Sequence, residues 1–482
     1  MNFILFNPDE MRAESVGCYG HRVVQTPHMD ALAAQGVRFD QAHVQHTVCT
    51  PSRCSFMTGW YPHVRGHRTL WHALRPHEPN LLKYLKRSGY EVVWSGKNDL
   101  LAEASFADSV DIVFRPRAGV GPPPERTVPP GQPGSHSFLY QPREGTIDDL
   151  SDMGHVDNAI AFLRRPHDRP FVLYLPLSMP HCPYTAPQPY YDMVAPEDLP
   201  ALRPAGRGGQ ADFHRWIRRF RRLDEIDEKV FRKINAVYLG MIACVDEMLG
   251  RLLAALDETG LADETAVLVF SDHGDWAGDY GLVEKWPSAL DDCLTRVPLI
   301  VRAPDGKAGH VVNEPVELMD VFATILDLAG VRAEHTHFSR SLTRQIEGAA
   351  GDPDRAVFAE GGYDAFEPHC FEGRSAGDQA AWGPDHIYAP KGAQQQAYPL
   401  SVCRSVMIRT AGRKLVRRSS GAHELYDLMR DPWELTNVHG DATYATSQAA
   451  LERHMLDWFI RTSDVTPPDE DFRGIPEAFF GD

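Results

Sequence analysis

Short apolar segments alternate with helical patterns along most of this sequence. Residues 266–270 are wholly apolar and residues 171–177 nearly so, and Met241, Val245 and Met248 between them recur at the spacing of one helix face. Short, continuous apolar strands are typical of a parallel sheet that helices cover on both faces. The repeated strand–helix units therefore predict an α/β domain over residues 1–350, in which helices flank a large, doubly wound mixed sheet.

The individual elements follow from the same patterns. Thr26 and Pro27 are typical of a helix start and Gly36 of a helix stop, so a helix is predicted between them. Further helices are predicted at residues 81–87, 156–164, 241–256 and 316–328, and strands at 1–6, 90–95, 171–177, 266–270 and 298–302. From about residue 355, short strands at 402–409 and 414–417 and a helix near 449–459 predict a smaller α+β domain with an antiparallel sheet, over residues 351–482.

Two segments depart from this alternation. Residues 114–145 are rich in proline and glycine, which predicts a long surface excursion that forms a pocket wall. Residues 215–222 are basic and lie beside residues 224–233. The simplest interpretation of the basic cluster is a solvated amphipathic helix, and the alternative is a lid or interface for an anionic substrate.

Composition excludes several partners. The chain has 482 residues, with 49 lysines and arginines against 66 aspartates and glutamates, and its net charge of −17 repels the phosphates of a nucleic acid. No apolar run approaches the roughly 18–20 residues needed to cross a bilayer, so no membrane partner is expected. The first residues read as a strand and not as a signal peptide, and the eight cysteines form no C-x-x-C, so a cytoplasmic protein with free thiols is expected.

Residues 49–53, Cys-Thr-Pro-Ser-Arg, form the most informative motif. They resemble the C-x-P-S-R signature of the formylglycine-dependent (type I) sulfatases of the alkaline-phosphatase-like superfamily, and similar stretches at 17–32 and 424–437 extend the resemblance over most of the chain. The resemblance implies that Cys49 is oxidised to formylglycine and that a formylglycine-generating enzyme is a partner in maturation. The hydrate of this aldehyde carries two hydroxyls, one to attack sulfur and one to expel sulfate.

Hydrolysis of a sulfate monoester makes further demands on the sequence. The substrate is an anion, so the site needs a cation to gather the non-bridging oxygens and an acid for the leaving alkoxide. Asp9 and Glu10 directly follow the first predicted strand, and Asp272 and His273 follow the strand at 266–270. Because strand ends converge in α/β sheets, these side chains are expected to face one hard divalent cation.

The resemblance assigns the same positions to the metal. It implies a single divalent cation, with calcium expected and magnesium or manganese as alternatives, held by Asp9, Asp272, His273 and the modified Cys49. Glu10 stands where the family usually has aspartate or glutamine, and it completes the expected ligand set.

The resemblance also implies catalytic roles. Arg53 would orient and stabilise the diol, Lys97 and Lys285 would neutralise the sulfate, and His181 would protonate the leaving oxygen. Many family members carry Gly-Lys-x-His, whereas this chain has Gly-Lys-Asn-Asp at 96–99. The missing histidine leaves two substitutes open, which are Asp99 at the same position and His67 from elsewhere in the chain.

The predicted function is hydrolysis of a sugar or aryl sulfate. The missing histidine keeps open the related phosphonate monoester and phosphodiester hydrolases, and an inactive binding homologue is a third alternative. Variable loops are expected to hold the organic part of a sulfated small molecule or saccharide, with His369 and Arg374 as candidate contacts. Residues 366–398 are long enough to reach a neighbouring subunit, which leaves a homo-oligomer open.

Overall fold

A nine-stranded mixed sheet organises most of the chain. In the computed structural model, which describes residues 1–115, 119, 121–206, 211–373 and 382–466, its strands are β1 (Asn2–Asn7), β2 (Val37–His43), β3 (Glu91–Ser95), β4 (Ile112–Phe114), β5 (Phe171–Pro176), β6 (Thr265–Phe270), β7 (Arg296–Val297), β8 (Leu299–Arg302) and β9 (His310–Glu317). Their order is β4-β3-β5-β1-β6-β8-β2-β7, and β9 pairs with β2. The strands from β4 to β6 are parallel, whereas β8 is antiparallel to β6 and to β2. The predicted large mixed sheet is confirmed.

Helices cover both faces of this sheet. Those of the described residues are α1 (Pro27–Gln35), α2 (Cys49–Thr58), α3 (Pro62–Arg65), α4 (Leu81–Arg87), α5 (Phe106–Ser109), α6 (Ser151–Leu163), α7 (Asp212–Phe220), α8 (Glu228–Glu258), α9 (Asp292–Thr295), α10 (Asp320–Ala329), α11 (Thr343–Ile346), α12 (Ala389–Ala397) and α13 (Ala445–Thr462). Side chains of α1, α6 and α8 form one buried cluster against the sheet, and those of α2, α4 and α10 form another. Since both faces are covered, the strands read as continuous apolar runs.

A second, four-stranded sheet follows in the last quarter of the chain. It pairs β10 (Val357–Gly361), β11 (Ser405–Arg409), β12 (Arg413–Arg418) and β13 (Glu424–Asp427) in that order, all antiparallel. Helix α13 packs on it, with the ring of Trp458 stacked on Phe358 at 4.5 Å between centroids. The predicted antiparallel sheet is confirmed, and the domain boundary at residue 350 stays a prediction.

The structure corrects some predicted element bounds. The helix expected at 316–328 begins only at Asp320, because Val316 and Glu317 still pair with β2 as the end of β9. Strand β2 was not predicted, since its sequence Val-Arg-Phe-Asp-Gln-Ala-His lacks an apolar run. The basic cluster lies mainly on α7, which is the predicted amphipathic helix. No helix in the described ranges is long and apolar enough to span a membrane.

Candidate active site

Four adjacent parallel strands, β3, β5, β1 and β6, end at the same edge of the large sheet. Lys97 follows β3, His181 lies in the loop after β5, Asp9 and Glu10 follow β1, and Asp272 follows β6. Glycine at position 96 permits the close approach of β3 and β5, because a Cβ there would lie 2.2 Å from the Pro176 carbonyl oxygen. The sheet topology therefore brings together segments that are far apart in sequence.

Cys49 lies among three of the predicted metal ligands. Its Sγ is 3.3 Å from His273 Nε2 and 3.7 Å from Asp9 Oδ1. One ligand atom from each of Asp9, Cys49, Asp272 and His273 lies within 4.8 Å of the others, and all four residues are buried. Two carboxylates and an imidazole form a donor set that suits a divalent cation. These four residues are called the ligand cluster below.

The tautomer of His273 fits this cluster. Its Nδ1 donates a hydrogen bond to the Gly274 carbonyl oxygen at 2.9 Å. A neutral imidazole that donates from Nδ1 keeps a lone pair on Nε2, and this Nε2 faces Cys49 and Asp9. His273 is therefore prepared to ligate a cation through Nε2.

Arg53 forms hydrogen bonds with the two carboxylates of the ligand cluster. Its Nε donates to Asp272 Oδ2 at 2.9 Å, and its Nη2 donates to Asp9 Oδ2 at 3.0 Å. The guanidinium is fully buried, and its Nη1 donates to Asn7 Oδ1 at 3.0 Å. A guanidinium that donates hydrogen bonds to both carboxylates fixes their orientation and balances part of their charge. The structure thus places Arg53 against the predicted metal ligands.

The charge of Asp9 is stabilised from two sides. Burial raises the pKa of Asp9, but the positive charges of Lys97 and Arg53 outweigh it and hold this pKa well below its usual range. Lys97 Nζ donates a hydrogen bond to Asp9 Oδ2, and it lies 2.7 Å from Asp99 Oδ2. Asp9 is therefore ionised at neutral pH, as a metal ligand must be.

Glu10 belongs to a second group, with Lys285 and His181. Its carboxylate accepts a hydrogen bond from Lys285 Nζ and lies 3.4 Å from His181 Nε2. Lys285 Nζ also lies 2.8 Å from this Nε2. Burial raises the pKa of Glu10, but the positive charges of His181 and Lys285 outweigh this effect and lower the pKa to about 2. In this conformation Glu10 is paired with Lys285 and His181, not with the ligand cluster, and its place in the ligand set stays a prediction.

His181 presents one nitrogen to the site. Its Nδ1 donates to the Cys182 carbonyl oxygen at 2.5 Å, so Nε2 is the atom that faces Lys285 and Glu10. Burial lowers the pKa of His181, and Glu10 opposes that effect. The atom that could exchange a proton with a substrate is therefore Nε2.

The surroundings of Cys49 disfavour the thiolate form of its side chain. Burial raises the pKa of the Cys49 thiol well above its usual range, and the negative charge of Asp9 raises it further. Cys49 is also the first residue of α2, whose ten residues are all buried and whose N-terminus has no side-chain cap. The positive end of this helix faces the ligand cluster, which favours a bound anion.

The sequence also matches a model of a known family. The family model "Sulfatase" matches residues 1–331 of this chain. The chain belongs to the sulfatase family. Its large sheet, with helices on both faces and a separate antiparallel sheet, is also the fold of the solved structures that it resembles.

Individual relatives and solved structures cover most of this sulfatase. The arylsulfatase of Clostridium perfringens is 27% identical over 387 residues, which cover 72% of this chain and 78% of the relative. The structure of the phosphonate monoester hydrolase of Agrobacterium radiobacter superposes with a TM-score of 0.77 at 24% identity, covering 96% of both chains. That of BT4656, in complex with its substrate D-glucosamine-2-N,6-O-disulfate, gives a TM-score of 0.73 at 21% identity, covering 98% of this chain and 99% of that one.

The remaining predicted contacts lie in different surroundings. His67 uses both ring nitrogens for structure, since Nδ1 donates to the His72 carbonyl oxygen at 2.6 Å and Nε2 lies 3.1 Å from Glu78 Oε1. Those contacts leave Asp99, which pairs with Lys97, as the nearer substitute for the missing histidine. His369 packs edge-on against the ring of His72. Arg374 lies outside the described residues.

Several side chains that support the site lie outside the set predicted from the sequence. Asn7 accepts from both Arg53 and Tyr174, and its place at the end of β1 was an available signal. Lys391 of α12 donates to Glu284, the neighbour of Lys285, at 2.8 Å, and Tyr388 Oη lies 3.8 Å from Cys182 Sγ. No local pattern could have indicated these contacts, because they join residues more than about 100 positions apart.

Proposed function

We propose that this sulfatase hydrolyses a sulfate monoester through a formylglycine diol made from Cys49, with one divalent cation, expected to be calcium. The position of Cys49 carries the proposal, since its Sγ lies 3.3 Å from His273 Nε2 at the N-terminus of a buried helix. An aldehyde hydrate at this point would present its hydroxyls among the ligand cluster. The high pKa of the unmodified thiol supports a need for modification.

The proposed reaction has two steps. One hydroxyl of the diol gives its proton to water and attacks sulfur while the bond from sulfur to the ester oxygen breaks. His181, after taking up a proton at Nε2, donates it to the departing alkoxide. The second hydroxyl then gives its proton to Asp99, the substitute for the family histidine, as the aldehyde re-forms and the bond to sulfate breaks. Water restores the diol. When bound by Asp9, Asp272 and His273, a cation would supply positive charge toward the non-bridging oxygens.

Two lysines would neutralise the rest of the sulfate charge. Lys97 is held by the carboxylate of Asp9, and Lys285 is held by that of Glu10. Preorganised cations of this kind stabilise developing charge without reorganisation during the reaction. Glu10 and Asp9 therefore set where the lysines lie before the substrate arrives.

Sugar and aryl sulfates are the proposed substrates. The arylsulfatase relative and the structural neighbour bound to a disulfated glucosamine support this class. Intact mass of the purified protein tests the first requirement, because replacing the thiol of Cys49 by an aldehyde lowers the mass. A protein that stays unmodified after co-expression with a formylglycine-generating enzyme, and that is inactive on aryl sulfates, would be the inactive binding homologue.

A phosphonate monoester or phosphodiester hydrolase is the second candidate, supported by the likeness to the Agrobacterium enzyme and by Asp99 in place of the family histidine. Phosphonate monoesters and phosphodiesters keep an organic group on the centre where a sulfate monoester has only oxygen. Two lysines can therefore pair with more unsubstituted oxygens on a sulfate monoester than on a phosphonate monoester or a phosphodiester. We expect 4-nitrophenyl sulfate to exceed phenyl phosphonate in kcat/KM.

The variant Lys97→Ala separates the two candidates. Its loss of kcat/KM is expected to be larger for the sulfate than for the phosphonate, because the sulfate offers one more unsubstituted oxygen to the ammonium. Lys307→Ala, a change on an exposed turn, is the control. A clear phosphonate or phosphodiester preference in the wild type would assign the protein to the second class.

A further inference from the structure

Helix α12 places the amino group of Lys391 inside the protein. Lys391 is the third residue of this helix and is only 2% exposed. Its Nζ donates to Glu284 Oε1 at 2.8 Å and lies 3.3 Å from Glu372 Oε2. A buried ammonium group is costly unless carboxylates compensate its charge, so both partners are needed to keep this lysine buried. Glu284 is the partner that leads to the candidate active site, because it directly precedes Lys285 in the chain.

Cations occupy both carboxylate oxygens of Glu284. Oε1 accepts from Lys391, and Oε2 accepts from Arg221, whose guanidinium is also buried. Burial raises the pKa of Glu284, but the positive charges of Lys391 and Arg221 outweigh this effect and lower the pKa to about 2. Glu284 is therefore an ionised carboxylate that holds one cation on each oxygen.

Hydrogen bonds on both sides fix the backbone of Glu284. Its N–H donates to Tyr184 Oη at 2.9 Å, and its carbonyl oxygen accepts from Trp276 N at 3.1 Å. Its φ of 67° lies in the left-handed region, which residues other than glycine rarely adopt unless their surroundings hold them there. The Lys285 side chain therefore starts from a defined point of the chain, and its direction depends on the charges around it.

Two carboxylates attract the ammonium of Lys285. Glu10 accepts a hydrogen bond from Lys285 Nζ, and this Nζ lies 2.8 Å from His181 Nε2. Glu284 is the second carboxylate, since the positive charge of Lys285 also lowers the pKa of Glu284. Because Lys391 and Arg221 already occupy both oxygens of Glu284, Lys285 is left to Glu10 and His181.

We propose that Lys391 is a positioning residue for Lys285. By occupying Glu284 Oε1, it keeps the ammonium of Lys285 directed to Glu10 and His181 instead of to Glu284. The proposal rests on the proposed function, in which His181 Nε2 protonates the leaving oxygen and Lys285 lies beside that atom. Without Lys391, Glu284 has one unpaired oxygen, and Lys285 turns toward it and away from the leaving oxygen. Helix α12, which lies between β10 and β11 in the chain, thereby acts on the site through Glu284.

Aryl sulfates with different leaving groups test this role. Phenol is a weaker acid than 4-nitrophenol, so cleavage of phenyl sulfate depends more on positive charge beside the leaving oxygen than cleavage of 4-nitrophenyl sulfate does. Lys391→Met is expected to lower kcat/KM about tenfold or more for phenyl sulfate, and by a factor at least about three times smaller for 4-nitrophenyl sulfate. The ratio of the two kcat/KM values is the readout, because a loss of folded protein lowers both values equally.

Two further variants test whether Lys391 acts through Glu284. Lys391→Arg keeps a cation at this position and should restore part of the ratio. Adding Glu284→Gln to Lys391→Met removes the charge that would draw Lys285 away, so the double variant should have a ratio closer to that of the wild type than Lys391→Met has. A lysine that only stabilised the fold would leave the ratio of every variant at the wild-type value.

Lys414→Met is the matched control. Lys414 is also a buried lysine between two carboxylates, since its Nζ lies 3.1 Å from Asp292 Oδ1 and pairs with Glu434, but it belongs to β12 of the second sheet. Its replacement should lower the melting temperature, as replacement of Lys391 should, because each change leaves buried carboxylates without a cation. The ratio of the two kcat/KM values should stay unchanged in Lys414→Met.

Three outcomes would overturn a proposal made here. A Lys391→Met variant that keeps the wild-type ratio would show that Lys391 does not position Lys285, and Lys391→Gln, which keeps a donor to Glu284 without the charge, carries the same expectation if Lys391→Met does not fold. A double variant with a ratio as low as that of Lys391→Met would show that Lys391 does not act through Glu284. Wild-type protein that carries formylglycine but cleaves neither aryl sulfate would instead overturn the proposed function.

Discussion

Cys49 combines two features that act against each other in an unmodified protein. Its position at the start of α2 favours an anion, but burial and Asp9 keep its thiol protonated. Conversion to an aldehyde hydrate removes this conflict, because the diol attacks as an oxygen nucleophile and is regenerated in each turnover. Cys49 is therefore expected to contribute to catalysis and little to the stability of the fold.

Replacement of Cys49 by alanine tests this expectation. Cys49→Ala should lower kcat for 4-nitrophenyl sulfate at least about a hundredfold, because the nucleophile is removed. The melting temperature should stay close to that of the wild type. Cys54→Ala is the matched control, since Cys54 is equally buried in the same helix but lies outside the ligand cluster. Retention of more than about a hundredth of wild-type kcat in Cys49→Ala, at equal folding, would contradict nucleophilic catalysis.

At the scale of elements, Glu317 joins the two sheets. It lies at the end of β9, and its Oε1 accepts from Tyr61 Oη at 2.8 Å and from Phe358 N in β10 at 3.0 Å. Burial raises the pKa of Glu317 to about 7, although Arg355 opposes this effect. The carboxyl therefore binds a proton more tightly in the folded state than in the unfolded state.

This pKa predicts a pH-dependent stability. Between about pH 4.5 and 7 the folded state holds more protons at Glu317, so its contribution favours folding at low pH and is lost as the pH rises through this window. The variant Glu317→Gln does not titrate, so its free energy of unfolding relative to the wild type should rise with pH, by up to about 3 kcal/mol. Urea unfolding at several pH values measures the difference.

Glu314→Gln is the control for this series, because it changes a half-buried carboxyl of the same strand that accepts from Gly351 N. A Glu317→Gln variant whose relative stability is constant from pH 4.5 to 7, or falls with pH, would contradict the raised pKa.

The elements that the sequence predicted correctly are those with a strong local signal. Strands β5 and β6 are apolar because both faces of the sheet are covered, and α4 matches its predicted bounds, residues 81–87. Strand β2 escaped prediction because its polar residues at Arg38, Asp40 and Gln41 hide the pairing with β8 and β9. Pairing over more than about 250 positions leaves no trace in a local pattern.

At the scale of the molecule, the residues of the candidate site and their convergence could be predicted, but the partners of each side chain could not. Asp9, Asp272 and His273 stand directly after strands, so their convergence followed from the topology of an α/β sheet. The pairing of the Glu10 carboxylate with Lys285 and His181 could not be predicted, because it joins residues far apart in the sequence.

Arg53 changes what is expected of the protein without a metal. Clustered carboxylates repel each other when no cation is bound, but the buried guanidinium of Arg53 and the ammonium of Lys97 already balance Asp9 and Asp272. The metal-free protein is therefore expected to stay folded. A cation that binds the folded state still stabilises it, by about 2.7 kcal/mol when its free concentration is a hundred times its Kd.

Chelation tests the cation at this scale. Removal of metal with EDTA should abolish hydrolysis of 4-nitrophenyl sulfate and lower the apparent melting temperature by a few degrees. Addition of calcium, magnesium or manganese should restore both the activity and the melting temperature. The ion that restores them most fully is the preferred one. Asp272→Asn removes one carboxylate of the ligand cluster and should abolish the shift in melting temperature on adding metal. The variant Asp168→Asn, which changes an exposed aspartate, should keep the shift in melting temperature on adding metal. Full activity of protein shown by elemental analysis to be free of divalent metal would refute a metal-dependent reaction, because Lys97, Lys285 and Arg53 would then suffice to stabilise the sulfate.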